Sequence, residues 1–368
     1  MIIGVDGNEA NVNMKVGVSF YTFNLLRFFR KKANKNLRFK IFLKYEPRKD
    51  LPPENNFFTY EHIKGKYLWS QIFLPIRLNL IKDIDVFFSP AHFAPRFCPV
   101  PTVVTIHDLS YHFYPEDFLK KDLYTLINWT KYSTDKARKI IAVSKTTMKD
   151  IVNVYKIPEE KIAVIYNGFE KDFPQKKHYE NSSKFTIERP SILYVGTLQP
   201  RKNIETLIRA FAKFQEKYPE FELVLAGKKG WMYNKIYELV TDLGLDNDVF
   251  ITDYITDYQL GFLYKNAFCL VMPSFYEGFG LPVLEAMGSG CPVISSFSSS
   301  LPEVGGEACL YFDPKSQDKL LEKLLLLKEN KKIRQELIQK GKTRTKDFSW
   351  KTCGEQTLNI LRDAAKKE

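Results

Sequence analysis

The sequence predicts an α/β chain built from two Rossmann-like, doubly wound domains in series. Three observations carry this. Its 368 residues suit two domains of about 150–200 residues rather than one. Short apolar runs alternate with segments of helical period, the pattern of a parallel sheet with helices on its faces. A polar stretch, residues 171–190, interrupts the alternation, which then restarts. The expected organisation is a first domain over residues 1–170, a linker over 171–190, a second domain over 191–348, and a C-terminal helix over 349–368.

The elements follow in order. Residues 2–5 form a short apolar run ending in Asp6-Gly7 and read as a buried strand. A loop containing Gly17 leads into Phe20, Phe23, Leu25, Leu26 and Phe29 at helical spacing, a strand–glycine loop–helix unit. Strands are expected at 39–43, 85–89, 102–106, 139–143 and 162–165, with helical stretches at 69–80 and 119–136. After the linker, strands are expected at 191–195, 222–226, 249–251, 268–272 and 292–294. The intervening helices are expected at 203–218, 235–243, 257–267, 281–288 and 317–327, and an amphipathic helix closes the chain at 349–367.

Composition excludes several classes. Hydrophobic residues make up 44% and charged residues 27%, ordinary for a folded domain and unlike a disordered chain. No apolar run has the length of a membrane span, and the N-terminus lacks the basic start of a secretory signal. Five scattered cysteines without a Cys-x-x-Cys pair argue against a disulfide scaffold or zinc ribbon and for a reducing cytoplasm. The net charge of +12 is concentrated in the first 180 residues, where 29 Lys and Arg face 19 Asp and Glu. The densest run extends from Arg27 to Lys49 with Glu46 as its one acid. Such a patch attracts nucleic acid, acidic headgroups or phosphorylated substrates, or is a solvated face. No nucleic-acid recognition motif accompanies it.

The richest stretch is Pro273 to Pro292. Gly278 and Gly280 let the backbone turn and approach a ligand, and Pro282 suits the first turn of a helix. The loop therefore offers a site for anions and hydroxyls at the carboxyl edge of a sheet. Glu277 and Glu285 can grip two polyols; otherwise Glu277 is a loop acid and Glu285, in the first helical turn, complements the helix dipole. Arg201 and Lys202 follow a strand and Gly196, where two cations can neutralise a diphosphate or be solvated helix-start residues. His107 follows a Val/Ile-rich strand and is either structural or functional, and Asp108 beside it can bond loop amides.

The stretch around Glu277-Gly-Phe-Gly-Leu-Pro-Val-Leu-Glu285-Ala-Met resembles the signature of the retaining glycosyltransferases of family 4, with two glutamates separated by seven residues. The resemblance extends to Tyr194-Val-Gly196-Thr-Leu-Gln-Pro-Arg201-Lys202-Asn203, Leu225-Ala-Gly-Lys-Lys-Gly-Trp231, Thr105-Ile-His107-Asp-Leu-Ser110, Tyr166-Asn-Gly168 and Leu301-Pro-Glu-Val304. It implies the GT-B fold, with an acceptor-side domain and a nucleotide-sugar-binding domain facing each other across a cleft, and a C-terminal helix crossing back to the first domain. It implies that Arg201 and Lys202 take the donor diphosphate, Glu285 the ribose, and Glu277, Gly278 and the Phe279-Gly280-Leu281 amides the sugar. His107 contacts the donor sugar, the Gly17 loop and Gly196 approach the donor, and Tyr254 and Ile255 line the nucleobase, with Asp253 where glycine is common.

The catalytic set implied is thus His107, Glu277, Arg201 and Lys202, with no metal or other cofactor required. Asp83-Ile-Asp85 and Asp246-Asn-Asp248 have D-x-D spacing but precede strands, away from the ligand loops. The two strings around His107 and Gly227 are most similar to mannosyltransferases using GDP-mannose; a UDP-sugar is the alternative donor. The expected acceptor is a lipid-linked or polysaccharide glycan of surface glycan synthesis, and the expected location is cytoplasmic, peripheral on the inner membrane face. Phe28, Phe29, Tyr67, Leu68, Trp69 and Phe73 interleave with the basic residues and serve either membrane docking or the core. Competing classes are a nucleic-acid-binding protein and a GT-B epimerase or phosphorylase.

Overall fold

A computed structural model describes residues 1–169, 173, 189–230 and 232–366. The chain divides into two compact units. One holds residues 1–115, 119–168 and 348–368, the other residues 116–118 and 169–347. Most of the linker expected at 171–190, and Trp231, lie outside the described residues.

The first unit carries strands β1 (Ile2–Asp6), β2 (Arg38–Leu43), β3 (Phe58–His62), β4 (Val86–Ser89), β5 (Thr102–Ile106), β6 (Lys139–Ala142) and β7 (Ile162–Val164). They form one parallel sheet in the order β3-β2-β1-β4-β5-β6-β7. Its helices are α1 (Val18–Lys32), α2 (Phe73–Leu80), α3 (Ser110–Phe113), α4 (Lys120–Lys136) and α5 (Lys145–Tyr155). The second unit carries β8 (Ser191–Val195), β9 (Glu222–Ala226), β10 (Val249–Ile251), β11 (Cys269–Met272), β12 (Val293–Ser296) and β13 (Cys309–Phe312) in the order β10-β9-β8-β11-β12-β13, again parallel. Its helices are α6 (Ile204–Lys217), α7 (Asn234–Asp242), α8 (Asp257–Asn266), α9 (Leu281–Gly288), α10 (Leu301–Gly305), α11 (Gln317–Glu329) and α12 (Lys331–Arg344). In each sheet the strand order reverses beside the first strand of the unit, the position where open α/β sheets leave a crevice at their carboxyl ends.

Several elements differ from expectation. The helix expected over 69–80 begins at Phe73, because Trp69 turns inward and its indole N–H donates to the Ile63 carbonyl (2.7 Å). The strand β3 and helices α5 and α12 lie in segments whose polarity masks their period; α12 buries Leu337 and Gly341 among polar neighbours. Phe28 and Phe29 belong to the core, where Phe29 stacks on Phe39 at 4.8 Å, so the membrane-docking alternative fails for them and for buried Trp69. Residues of both D-x-D pairs make local contacts. Asp85 accepts the Ile2 N–H (2.7 Å), Asp83 pairs with Lys40 (2.5 Å) and Asp248 pairs with Arg189 (2.7 Å).

The last helix, α13 (Trp350–Ala365), packs in the first unit against α1. Trp350 meets Phe20 edge-on at 5.8 Å, and Phe28 lies over Gly354. The Asn167-Gly168 pair owes its glycine to this helix, since a Cβ on Gly168 would stand 2.3 Å from the Trp350 nitrogen and 2.5 Å from its Cα. Backbone cannot yield as a flexible side chain does, so Gly168→Ala is expected to destabilise the protein by about 2–3 kcal/mol. The check is a lowered denaturant midpoint at unchanged slope. Among the described residues no helix is long and apolar enough to cross a membrane.

Candidate functional site

The second unit gathers its site at the carboxyl ends of β8 and β11. Arg201 and Lys202 share one 3-10 turn, Pro200–Lys202, just before α6. Asn203 ends that turn with φ of 56°, and its side-chain amide donates to the Pro273 carbonyl (2.9 Å) and the Pro314 carbonyl (2.8 Å). The cation turn is thereby tied to the loop that carries Glu277. Arg201 is buried and donates from Nη1 to the Tyr276 carbonyl (2.9 Å), while its main-chain N–H meets Asp117 Oδ2 (3.1 Å).

Lys202 Nζ donates to both oxygens of Glu277 at 2.7 Å, and Ser274 Oγ donates to Oε1 at 2.7 Å. Glu277 is 9% exposed, which removes the alternative of a surface loop acid. Burial pushes its carboxyl up, but the Lys202 and Arg201 charges, with hydrogen bonds from Lys202 and Ser274, outweigh this and hold it below the usual glutamate range. The loop is braced by a serine run at the carboxyl end of β12 and in the turn that follows. Ser296 donates to the Ser274 carbonyl (2.6 Å), Ser298 to that of Phe275, and Ser300 to those of Glu277 (2.8 Å) and Phe279 (2.9 Å), while Ser299 Oγ accepts the Glu277 N–H (2.8 Å). These bonds fix the loop backbone before any ligand arrives.

Gly280 caps α9 with φ of 109°, a conformation that L side chains rarely adopt, and Leu281 opens the helix with Pro282 behind it. Gly278 and Phe279 lie between this cap and Glu277. Glu285 sits in the second helical turn, not the first, so a helix-dipole role loses its footing. Its Oε2 accepts a hydrogen bond from the buried Tyr264 hydroxyl (2.9 Å). Gly196 and Gly227 touch: a Cβ on Gly227 would stand 1.9 Å from the Gly196 oxygen. Tyr254 and Ile255 follow β10 in the next turn, with Lys228 Nζ 5.4 Å from the Tyr254 ring centroid. Asp253 has φ of 57°, which explains why a glycine suits that position.

In the first unit His107 follows β5. Its Nε2 donates to the Pro90 carbonyl (2.8 Å), its ring packs edge-on against Tyr21 at 4.9 Å, and its carbonyl accepts from Thr147 Oγ1 (3.3 Å). Burial, with the neighbouring His92 in second place, lowers its pKa to about 4, so the imidazole is neutral near pH 7. Asp108 Oδ1 accepts from the Ser110 N–H (2.9 Å) and hydroxyl (2.7 Å), bracing the turn after His107. Gly17 caps α1 with φ of 52° and with open space where a Cβ would stand. Near these residues a cavity of about 440 Å³ is lined by Asp6, Glu9, Lys66, Trp69, His92 and Trp129 among others. Asp6 is pushed up to about 6 by burial, against opposing bonds from Asn8.

Sequence reasoning quoted Asn203 in its string but assigned it no role, and it missed the serine brace, Tyr264 and the cavity wall. Among those three only the brace left a visible signal, the run Ser295-Ser296-Phe297-Ser298-Ser299-Ser300 at the end of a strand and just beyond it.

Comparison with known proteins agrees with this fold. A model described as glycosyl transferases group 1 matches residues 175–344, and one described as glycosyltransferase family 4 matches residues 17–173. The O-antigen chain mannosyltransferase B of Escherichia coli is 33% identical over 265 residues, which cover 71% of this chain and 70% of that protein. The O-antigen chain mannosyltransferase RfbU of Salmonella typhimurium is 33% identical over 212 residues, 57% of this chain and 56% of that protein. Among solved structures, sucrose-phosphate synthase from Thermosynechococcus elongatus superposes with a TM-score of 0.76 at 19% identity, covering 98% of both chains. HepE of Anabaena, crystallised with UDP and glucose, gives 0.74 at 17% identity over 98% of this chain and 99% of that one. Two parallel Rossmann-like sheets, the Glu277–Glu285 loop and these relatives converge, and the chain belongs to glycosyltransferase family 4 with the GT-B fold.

Proposed function

We propose that this glycosyltransferase is a retaining, metal-independent mannosyltransferase that moves mannose from GDP-mannose to a lipid-linked or polysaccharide acceptor in surface glycan synthesis. The observation that carries the donor site is the buried Lys202–Glu277 pair, hydrogen-bonded at 2.7 Å and set beside Arg201. Arg201 and Lys202 supply two fixed cations for the charge that develops on a departing diphosphate. Glu277, bonded to Lys202, stands where a sugar hydroxyl meets a carboxylate, and the Phe279-Gly280-Leu281 backbone borders it. Glu285, oriented by Tyr264, takes the ribose hydroxyls, while Gly196, Tyr254 and Ile255 approach the nucleotide.

His107, Gly17 and the first-unit cavity act on the sugar and the acceptor. A neutral imidazole that already donates from Nε2 holds its position and does not act as an acid near pH 7. In the reaction the bond from the anomeric carbon to the diphosphate breaks, the acceptor oxygen bonds to that carbon on the same face, and its proton passes to the departing diphosphate oxygen. The identity of the two O-antigen mannosyltransferases supports mannose and a surface glycan. The reading places the enzyme in the cytoplasm, at the inner face of the membrane.

Calorimetric titration with GDP-mannose, UDP-glucose, UDP-N-acetylglucosamine and ADP-glucose, without added metal, tests the donor. GDP-mannose is expected to bind at least about tenfold more tightly than the others, a difference of about 1.4 kcal/mol. Preference for a uridine donor overturns the choice of donor. Binding only with a divalent cation overturns metal independence.

A further inference from the structure

We propose that the Asp253 carboxylate reads the base of the donor and selects guanine. This role rests on the nucleotide site proposed above. Three turns lie side by side at the carboxyl ends of β8, β9 and β10. The Gly196 N–H donates to the Ala226 carbonyl (2.9 Å), and the Thr252 N–H donates to the Leu225 carbonyl (3.1 Å). Asp253 pairs with Gly227 in an antiparallel bridge, and Gly227 in turn touches Gly196. Asp253 therefore stands on the same sheet edge as the two glycine turns, directly before Tyr254 and Ile255.

Its backbone conformation is costly. A φ of 57° lies in the left-handed region, which glycine enters freely and other residues do not. An aspartate is tolerated there chiefly when its side chain bonds nearby backbone. Thr252 Oγ1 donates to the Asp253 carbonyl (3.1 Å), but the Asp253 carboxylate makes no hydrogen bond among the described residues. The side chain is 59% exposed, and its ion-pair partner Lys229 is 3.9 Å away. Glycine would serve this turn without strain, so local structure gives no reason for an acid at position 253.

The chemistry of the bases gives one. A carboxylate only accepts hydrogen bonds, and it can take two in parallel. Guanine presents two adjacent donors, N1–H and the 2-amino group, beside the O6 acceptor. Uracil has a single donor, N3–H, between two carbonyl oxygens, so a carboxylate opposite it meets an oxygen as well. Adenine sets its 6-amino group beside the bare lone pair of N1, with the same conflict. Of these three bases only guanine satisfies both carboxylate oxygens, and the others leave an acceptor facing a negative charge. A cation suits O6, and Lys228 flanks the same turn, with Nζ 5.4 Å from the Tyr254 ring centroid.

Competition titration of the full chain with GDP, IDP, UDP and ADP tests the role. IDP differs from GDP only in lacking the 2-amino group. The wild type is expected to bind GDP at least about tenfold more tightly than IDP. Asp253→Gly, which meets the left-handed backbone without strain, and Asp253→Ala should bring GDP and IDP within about twofold of each other, with UDP bound no more weakly than before. Glu216→Ala, at an exposed acid of α6, should leave the GDP to IDP ratio at its wild-type value. Thermal melts confirm that each variant is folded. A wild type that does not distinguish GDP from IDP, or an Asp253→Gly variant that keeps the wild-type ratio, would overturn the role of Asp253. A wild type that prefers UDP to GDP overturns the proposed donor and this role with it. A GDP preference that survives Asp253→Gly removes the role of Asp253 alone, so the two failures are told apart.

Discussion

Replacing either member of the Lys202–Glu277 pair is expected to lower transfer by at least about 10³-fold while the protein remains folded. Lys202→Met leaves Glu277 buried with Arg201 and Ser274 as its remaining partners, and Glu277→Gln leaves Lys202 without its counter-charge. Breaking a buried ion pair from one side costs about 3–5 kcal/mol of stability, whereas removing both charges costs much less. The double variant Lys202→Met/Glu277→Gln should therefore recover most of the lost stability and none of the lost transfer. Denaturant unfolding and initial-rate assays on the three variants separate the two effects. A double variant that regains transfer together with stability would reduce the pair to a structural role. The pH dependence has a definite sign. The Glu277 carboxyl is depressed in the folded state, so its stabilising contribution is present above pH 4.5 and is lost as pH falls through the folded value. Glu277→Gln should flatten that part of the acid limb.

The sequence and the structure agree where a local pattern decides the backbone. Leu281–Gly288 was legible as a helix because Gly280 and Pro282 mark its start, and the parallel strands around it were legible as apolar runs. The C-terminal helix was legible from its period, and the resemblance implied that it crosses back to the first domain, where it packs on α1. What tertiary contact decides was not legible. The pairing of Lys202 with Glu277 joins residues 75 apart in sequence, and no spacing rule announces it. Tyr264 reached Glu285 across 21 residues in the same way. The aromatics of α1 and α2 show the same division. Phe28 and Phe73 both lie in amphipathic contexts, yet the first is covered by α13 and the second stands at an exposed edge. Burial of a helix face depends on which distant element covers it, and composition carries no record of that.

Substitution of His107 should separate positioning from proton transfer. Its imidazole is neutral down to about pH 4, held there first by burial and then by the charge of His92. A proton-transfer role would impose a titration on the rate near the ordinary histidine value. A positioning role leaves the acid side of the profile without a His107 titration until the pH approaches about 4. His107→Ala is expected to lower transfer by about 10²-fold, the loss of one aligned polar group at a reacting centre, with the shape of the profile from pH 6 to 8 retained. The same group leaves a mark on stability. A histidine whose folded pKa lies below its unfolded value of 6.5 stabilises the protein fully above 6.5, and that contribution is lost as pH falls from 6.5 towards 4. The loss amounts to about 3 kcal/mol over that window. His92 is lowered by burial as well and steepens the same limb, so the comparison is between wild type and His107→Gln with His92 intact in both. The variant should show a shallower fall of unfolding free energy between pH 6.5 and 4, because one of the two buried imidazoles that must gain a proton is gone. An unchanged slope would mean that His107 exchanges protons with solvent in the folded state, and a bell-shaped rate profile with an acid limb near 6.5 that His107→Gln removes would restore a role in proton transfer.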